Sequence, residues 1–291
     1  MKKIRLLVIA MLLSFIGFAQ YDEDSQKSVI QEFTPSILLI KGQWDIKWFN
    51  NLYTETRATF DGNEGDVPRN TFFTSTVDIF TGVSDSRRVN VGLLLEFRSN
   101  VIGGRDAFDV FSFDGEAGSA RSGFTSLAPA IKFNPIKSVG NFTIQSALHI
   151  PLVDQESEQG VFLDQNGFIF QNRFFYDYSF ADGKWQLFTE LNTEYNLPKE
   201  GSFATNSLRL LPGAFVSYFP SSKFTILGLV QHLQLISFNT DGFEQDATIL
   251  GGGAKYQLTD EFNLEFLYSN FVRGNDTGLG QTFNIGLRAL F

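Results

Sequence analysis

The chain has 291 residues, a formal net charge of -9, no cysteine, and an unusual load of 33 phenylalanines, 8 tyrosines and 26 glycines. The missing cysteines exclude a disulfide framework and a lipidated N-terminal cysteine, and an acidic chain with no basic patch excludes nucleic acid as a partner. Mean hydropathy lies just below zero, yet this share of aromatics and glycine far exceeds that of an ordinary soluble domain and suits strands with lipid on one face and water on the other.

The N-terminus opens with Lys2, Lys3 and Arg5, continues in an apolar run to Phe18, and offers Gly17 and Ala19 at the spacing of a cleavage site. Residues 1–19 are therefore expected to be a removed signal peptide; the run is too short to span a membrane as a helix. Residues 20–42 read as a polar periplasmic tail ending in Pro35 and the apolar Ile37–Ile40. The tail either packs near a barrel rim or enters the lumen as a small plug.

From residue 43 onward the sequence alternates with period two between turn signals. Twelve segments result: 43–57, 70–82, 87–99, 122–134, 140–152, 166–180, 184–196, 205–219, 222–237, 246–258, 260–272 and 278–291. Each exceeds the ~9 to 11 residues that a tilted strand needs to cross a bilayer. Tight connections (84–86, 135–139, 181–183, 220–221, 259) alternate with longer, acidic ones (60–69, 101–121, 154–166, 197–204, 239–245, 273–277), so the excess acid lies in one set of loops and the strands are near neutral. Sorting by parity predicts an all-β fold, a transmembrane antiparallel up-and-down β-barrel of about twelve strands over 43–291, with short periplasmic turns, external loops and both termini periplasmic. Segment 222–237 alternates poorly, and a bulge or a shifted start is expected there.

The last segment alternates most cleanly. Phe283, Ile285, Leu287, Ala289 and Phe291 share one face, and Thr282, Asn284, Gly286 and Arg288 the other. A final aromatic preceded by apolar residues at every second position resembles the C-terminal signal of bacterial outer-membrane barrels, which implies the barrel-assembly machinery and outer-membrane lipid as partners. Gly17-Phe18-Ala19-Gln20 resembles the signal-peptide ends of Bacteroidota. The stretches Leu127-Ala128-Pro129-Ala130-Ile131-Lys132-Phe133, Leu148-His149-Ile150-Pro151-Leu152 and Gly253-Ala254-Lys255-Tyr256-Gln257-Leu258-Thr259-Asp260, and the ending Phe283-Asn284-Ile285-Gly286-Leu287-Arg288, are similar to the pattern of outer-membrane transporters of the "MetA-pathway of phenol degradation" type. That resemblance implies a transporter-like channel and carries over no substrate and no functional residue.

The inward set of such a barrel holds Asp45, Lys47, Glu55, Asp78, Glu96, Arg98, Lys132, Arg173, Asp177, Glu190, Glu194, Arg209, Lys255, Glu265 and Arg288. These charges either form a paired network that fills a narrow barrel or a constriction that selects solutes. Inward Phe49, Phe80, Phe175, Phe188 and Phe215 would narrow the lumen and favour a small, partly apolar solute over bulk ion flow. No catalytic group stands out. His149 and His232 read as structural, Gly251–Gly253 lies inside a strand and is no phosphate loop, and Asp154, Glu156, Glu158 and Asp164 read as solvated loop charge without calcium-loop spacing. The expectation is an outer-membrane channel or transporter for an unknown small solute, with no cofactor, no metal and no enzymatic activity. The alternatives are an accessory barrel that binds a protein partner in secretion or surface assembly and, behind it, a membrane-embedded hydrolase.

Overall fold

The computed structural model describes residues 34–240 and 242–291; the expected signal peptide and residues 20–33 of the expected tail lie outside them. Twelve long strands form the wall: β1 (Trp44–Phe60), β2 (Asn63–Gly82), β3 (Val89–Val101), β4 (Ala120–Phe133), β5 (Phe142–Pro151), β8 (Ile169–Phe180), β9 (Trp185–Asn196), β10 (Ser207–Ser221), β11 (Phe224–Ser237), β12 (Gln245–Gln257), β13 (Phe262–Asn275) and β14 (Gln281–Leu290). Two short strands, β6 (Ser157–Glu158) and β7 (Val161–Phe162), make a hairpin within the loop between β5 and β8. The twelve close into one antiparallel barrel in chain order, with β14 paired to β1 from Asp45↔Leu290 to Thr54↔Gln281. Closure satisfies every strand edge, which the interior of a membrane demands of any spanning sheet. Among the described residues no helix is long and apolar enough to cross a membrane.

All twelve segments read from the sequence correspond to strands of the wall. The first connection does not. Residues 60–69 are no loop: Phe60 pairs with Asn63, and only Asp61 and Gly62 turn the chain, both at positive φ (50° and 76°). Asp-Gly with this geometry closes a two-residue hairpin whose twist matches its strands, so β1 and β2 run on past a register shift at Glu55/Arg57.

The segment 222–237 starts two residues later than read, at Phe224, and its pairing with β10 shifts register at that start. It forms β11, paired to β12 without interruption from Phe224↔Tyr256 to Leu235↔Gln245; the irregularity lies on its other side, at Tyr218/Ser221 of the β10 pairing. Alternation fails in the sequence because both faces are apolar. Phe224, Ile226 and Val230 are exposed on the outside, while Leu227 and Leu229 line the lumen.

The outer wall is apolar where lipid would meet it, with exposed Trp48, Val91, Leu93, Ile131, Leu148, Leu191, Leu264, Phe266 and Ile285. Near the short-turn end Tyr178, Phe180, Trp185 and Tyr218 form a run of neighbouring rings, 4.7–6.4 Å apart, as expected of an interfacial girdle. At the seam Phe291 exchanges backbone hydrogen bonds with Trp44. Phe283 and Ile285 face outward, Leu287 is half-buried, and Ala289 is buried.

Candidate functional site: the barrel lumen

Alternation sends every second side chain of each strand inward, so the lumen is assembled from all twelve strands. A central cavity of about 410 Å³ lies across it. Its lining carries Asp45, Lys47, Asp78, Lys132, Arg173, Glu190, Lys255, Glu265 and Arg288. Six of these are paired: Arg288 grips Asp45 through Nε and Nη2, each 2.7 Å from a carboxylate oxygen; Arg173 Nε meets Glu190 at 2.7 Å, and Lys255 Nζ meets Glu265 at 2.7 Å. The remaining three, Lys47, Asp78 and Lys132, form no salt bridge among the described residues. The two ammonium groups rest instead over the rings of Phe49 and Phe80, at 4.9 and 3.7 Å from the centroids, an attraction that strengthens as water is excluded.

An apolar strip occupies part of the same cavity wall. Leu227, Leu229 and Leu267 pack together with Phe49 and Phe215, and Phe215 continues through Phe188 to Phe175 at ring separations of 5.6 and 6.0 Å. Two of the inward rings lie against glycines of a neighbouring strand. A Cβ at Gly92 would fall 2.4 Å from Phe80 Cδ1, and one at Gly286 would fall 3.0 Å from Phe49 Cδ2. The rings therefore lie flat along the wall instead of filling the space.

A second polar layer, with a cavity of about 310 Å³, lies beneath the loops and gathers Glu96, Arg98, Asp164, Glu194 and Arg209 around His149. Arg98 bridges Glu96 at 2.7 Å and Asp164 at 3.0 Å, and Arg209 meets Glu194 at 3.0 Å. Asp164 belongs to the β5–β8 loop, which folds inward: Asn100 Nδ2 donates to the carbonyls of Phe162 and Leu163 at 2.8 and 3.1 Å. Glu156 of this loop accepts from Ser202 Oγ at 2.5 Å and from the Phe203 amide at 2.8 Å. Glu156 and Asp164 are thus buried partners, not solvated loop charge. Burial pushes the Asp164 carboxyl up, against the pull of Arg98 and with a push from Glu96.

The short-turn end is crossed by the segment ahead of β1. Leu39 packs on Phe80 and Leu290, and Lys41 bridges to Gly82. Farther back, Thr34 Oγ1 and Ser36 Oγ donate to Asp177 of β8, and Thr143 Oγ1 of β5 donates to the Ser36 carbonyl at 2.6 Å. β5 and β8 stand across the barrel from β1, so residues 34–42 form a strap over the mouth, and Thr34 and Pro35 line the central cavity.

Some of this was invisible in sequence. Ser126 Oγ lies 3.3 Å from His149 Nδ1, a pairing that only the β4–β5 register brings about. The other imidazole nitrogen meets the Gln171 side-chain oxygen at 3.4 Å where a hydrolytic triad has a carboxylate. His232 faces outward near the loop end, with Nδ1 3.1 Å from Thr248 Oγ1. Among the described residues no cluster of metal-ligating side chains is present.

No family model matches the chain, and no curated protein matches it. Solved structures do. An outer-membrane channel from Pseudomonas putida F1 superposes with a TM-score of 0.68 at 12% identity, over 89% of this chain and 99% of that one. The β domain of the Bordetella autotransporter BrkA gives 0.55 at 10% identity, over 85% and 98%, and the translocator domain of the autotransporter NalP from Neisseria meningitidis gives 0.53 at 13%, over 90% and 92%. The architecture of this chain is that of a bacterial outer-membrane β-barrel.

Proposed function

We propose that the protein is an outer-membrane channel that passes a small solute with an apolar body and a polar or charged end. The carrying observation is the central cavity: an apolar strip of Phe49, Phe215, Leu227, Leu229 and Leu267 shares one chamber with Lys47, Asp78 and Lys132. A chamber filled by its own ion pairs would have no such volume, and a wide aqueous pore would have no such strip. Small-molecule sites combine these two wall types, with apolar area giving affinity and a few placed polar groups giving orientation. Twelve strands suit this role, lying between the eight that side chains fill and the sixteen or more that leave a wide pore. The pattern in Leu127–Phe133, Leu148–Leu152 and Gly253–Asp260 supports the phenol-degradation type of transporter, and Gly17–Gln20 supports an origin in Bacteroidota. The Phe283–Phe291 alternation supports handling by the barrel-assembly machinery.

Swelling of liposomes that contain the purified protein tests the reading. Relative to protein-free liposomes of the same lipid, the protein should speed the entry of phenol and benzyl alcohol more than that of polyols of equal size, and Leu229→Asn should reduce that preference several-fold. Equal rates for both classes, unchanged by the substitution, would overturn it.

A further inference from the structure

The connection between β3 and β4, residues 102–119, does not stand out into water. It folds back over the outer face of the barrel. Its short 3-10 helix, Ala107–Phe111, places Val110 in a buried cluster with Phe73, Val101 and Ala120, against which Leu52 and Phe97 also pack. Ser99 Oγ donates to the Val110 carbonyl at 2.7 Å. Phe111 meets Phe73 at 4.9 Å, Phe113 meets Phe97 at 5.6 Å, and Phe97 meets Phe124 at 5.5 Å.

These strand residues have the parity of the lipid-facing set. Phe73 is opposite Leu52, and four residues along each strand Val77 is opposite the exposed Trp48. Phe97 lies on the same face of β3 as the exposed Val91 and Leu93. The loop adds its own rings to that face: Phe108 is 70% exposed, Phe113 51% and Phe111 46%, beside Phe124 at 56%. Register carries the patch onward without a break, since Leu52 is opposite Phe283 and Phe283 opposite Tyr268. Four of the loop's five charges are gathered to themselves: Arg105 binds Asp109, Asp114 and Glu116 at 3.1, 2.6 and 2.9 Å, and its guanidinium holds the Asp114 carboxyl well below the usual range; the fifth, Asp106, caps the 3-10 helix by accepting from the Phe108 amide at 2.9 Å.

We propose that the β3–β4 loop is a membrane-interfacial anchor whose Phe108, Phe111 and Phe113 are covered by the acyl chains of the outer leaflet. Three exposed rings in eighteen residues, continuous with a wall already in lipid, are what an interfacial element presents. The Arg105 cluster neutralises most of the loop's charge within itself, which lets the polar half of the loop remain at the headgroup level.

The chain has no cysteine, so single cysteines can carry a nitroxide label without background. Phe108→Cys, Phe111→Cys and Phe113→Cys are compared with Ile285→Cys on the lipid-facing wall and Asn63→Cys beside the first hairpin turn, each in the refolded protein in liposomes. The ratio of collision with oxygen to collision with a water-soluble nickel chelate is expected to be severalfold higher at the three loop sites than at position 63, and closer to position 285. Phe108 touches least and keeps the test open if the other two disturb folding. A ratio equal to that at position 63 would place the rings in water. Low collision with both reagents would mean that protein, such as a second copy, covers them. Either result overturns the anchor.

Discussion

Arg288→Met should cost the barrel more than any other single change at its seam. Arg288 and Asp45 sit on the last and first strands and are joined by two hydrogen bonds of 2.7 Å, while both side chains are only 15% and 9% exposed. Charge-assisted hydrogen bonds each contribute roughly 1.5–3 kcal/mol, and removing one partner of a buried pair costs about 3–5 kcal/mol because the other charge is left uncompensated. The lumen holds a cavity, and residual solvent there lowers the expected cost to about 2–4 kcal/mol. Urea unfolding of the refolded protein in lipid, followed by band shift on unheated gels, measures it. Asp45→Asn should destabilise similarly, and the double variant should show a coupling of about 2 kcal/mol, since each single change already removes the pair. A coupling within about 0.5 kcal/mol of zero would refute the idea that this pair pins the closing register.

Three further outcomes follow from the lumen. Gly286→Ala should leave folding intact but push Phe49, whose Cδ2 would lie 3.0 Å from the new Cβ, toward the cavity; single-channel current should fall, and an unchanged current would contradict the flat-ring account. Asp177→Ala removes the acceptor that holds Thr34 and Ser36, so openings should become larger or more frequent, whereas openings unchanged from wild type would show that the strap does not limit passage. The Asp164 carboxyl is raised by burial, so the docked loop takes up a proton more readily than a released one; docking is favoured at low pH and weakens as pH rises through the raised value. Glu96, Arg98, His149, Glu194 and Arg209 line the same pocket, so the Asp164→Asn variant isolates the effect: openings should increase from pH 4.5 to 7.5 in wild type and lose part of that slope in the variant.

The strand pattern was legible because one physical rule, lipid outside and water inside, writes itself into alternate residues. β14 is the clearest case. β11 was the least legible, and for the same reason: Leu227 and Leu229 face the lumen, so an apolar inner wall erases the contrast on which alternation depends. The extended first hairpin could have been found, since Asp61-Gly62 is a strong two-residue turn signal that the acidic run around it masked. Loop placement could not. Whether residues 102–119 lie over the outer wall, or Glu156 and Asp164 turn inward, depends on partners such as Phe73, Ser202 and Arg98 that are distant in sequence. The inward charges were readable as a set, but their pairing depends on register across neighbouring strands, and the Ser126–His149 contact depends on it too.

The central claim is that the lumen conducts. Single-channel recording of the refolded protein in a planar bilayer tests it most directly: the account predicts small, reproducible openings whose amplitude and ion preference change when Glu190→Gln removes the charge opposite Arg173. A correctly folded barrel that remains electrically silent, in wild type and in the Asp177→Ala variant alike, would contradict it.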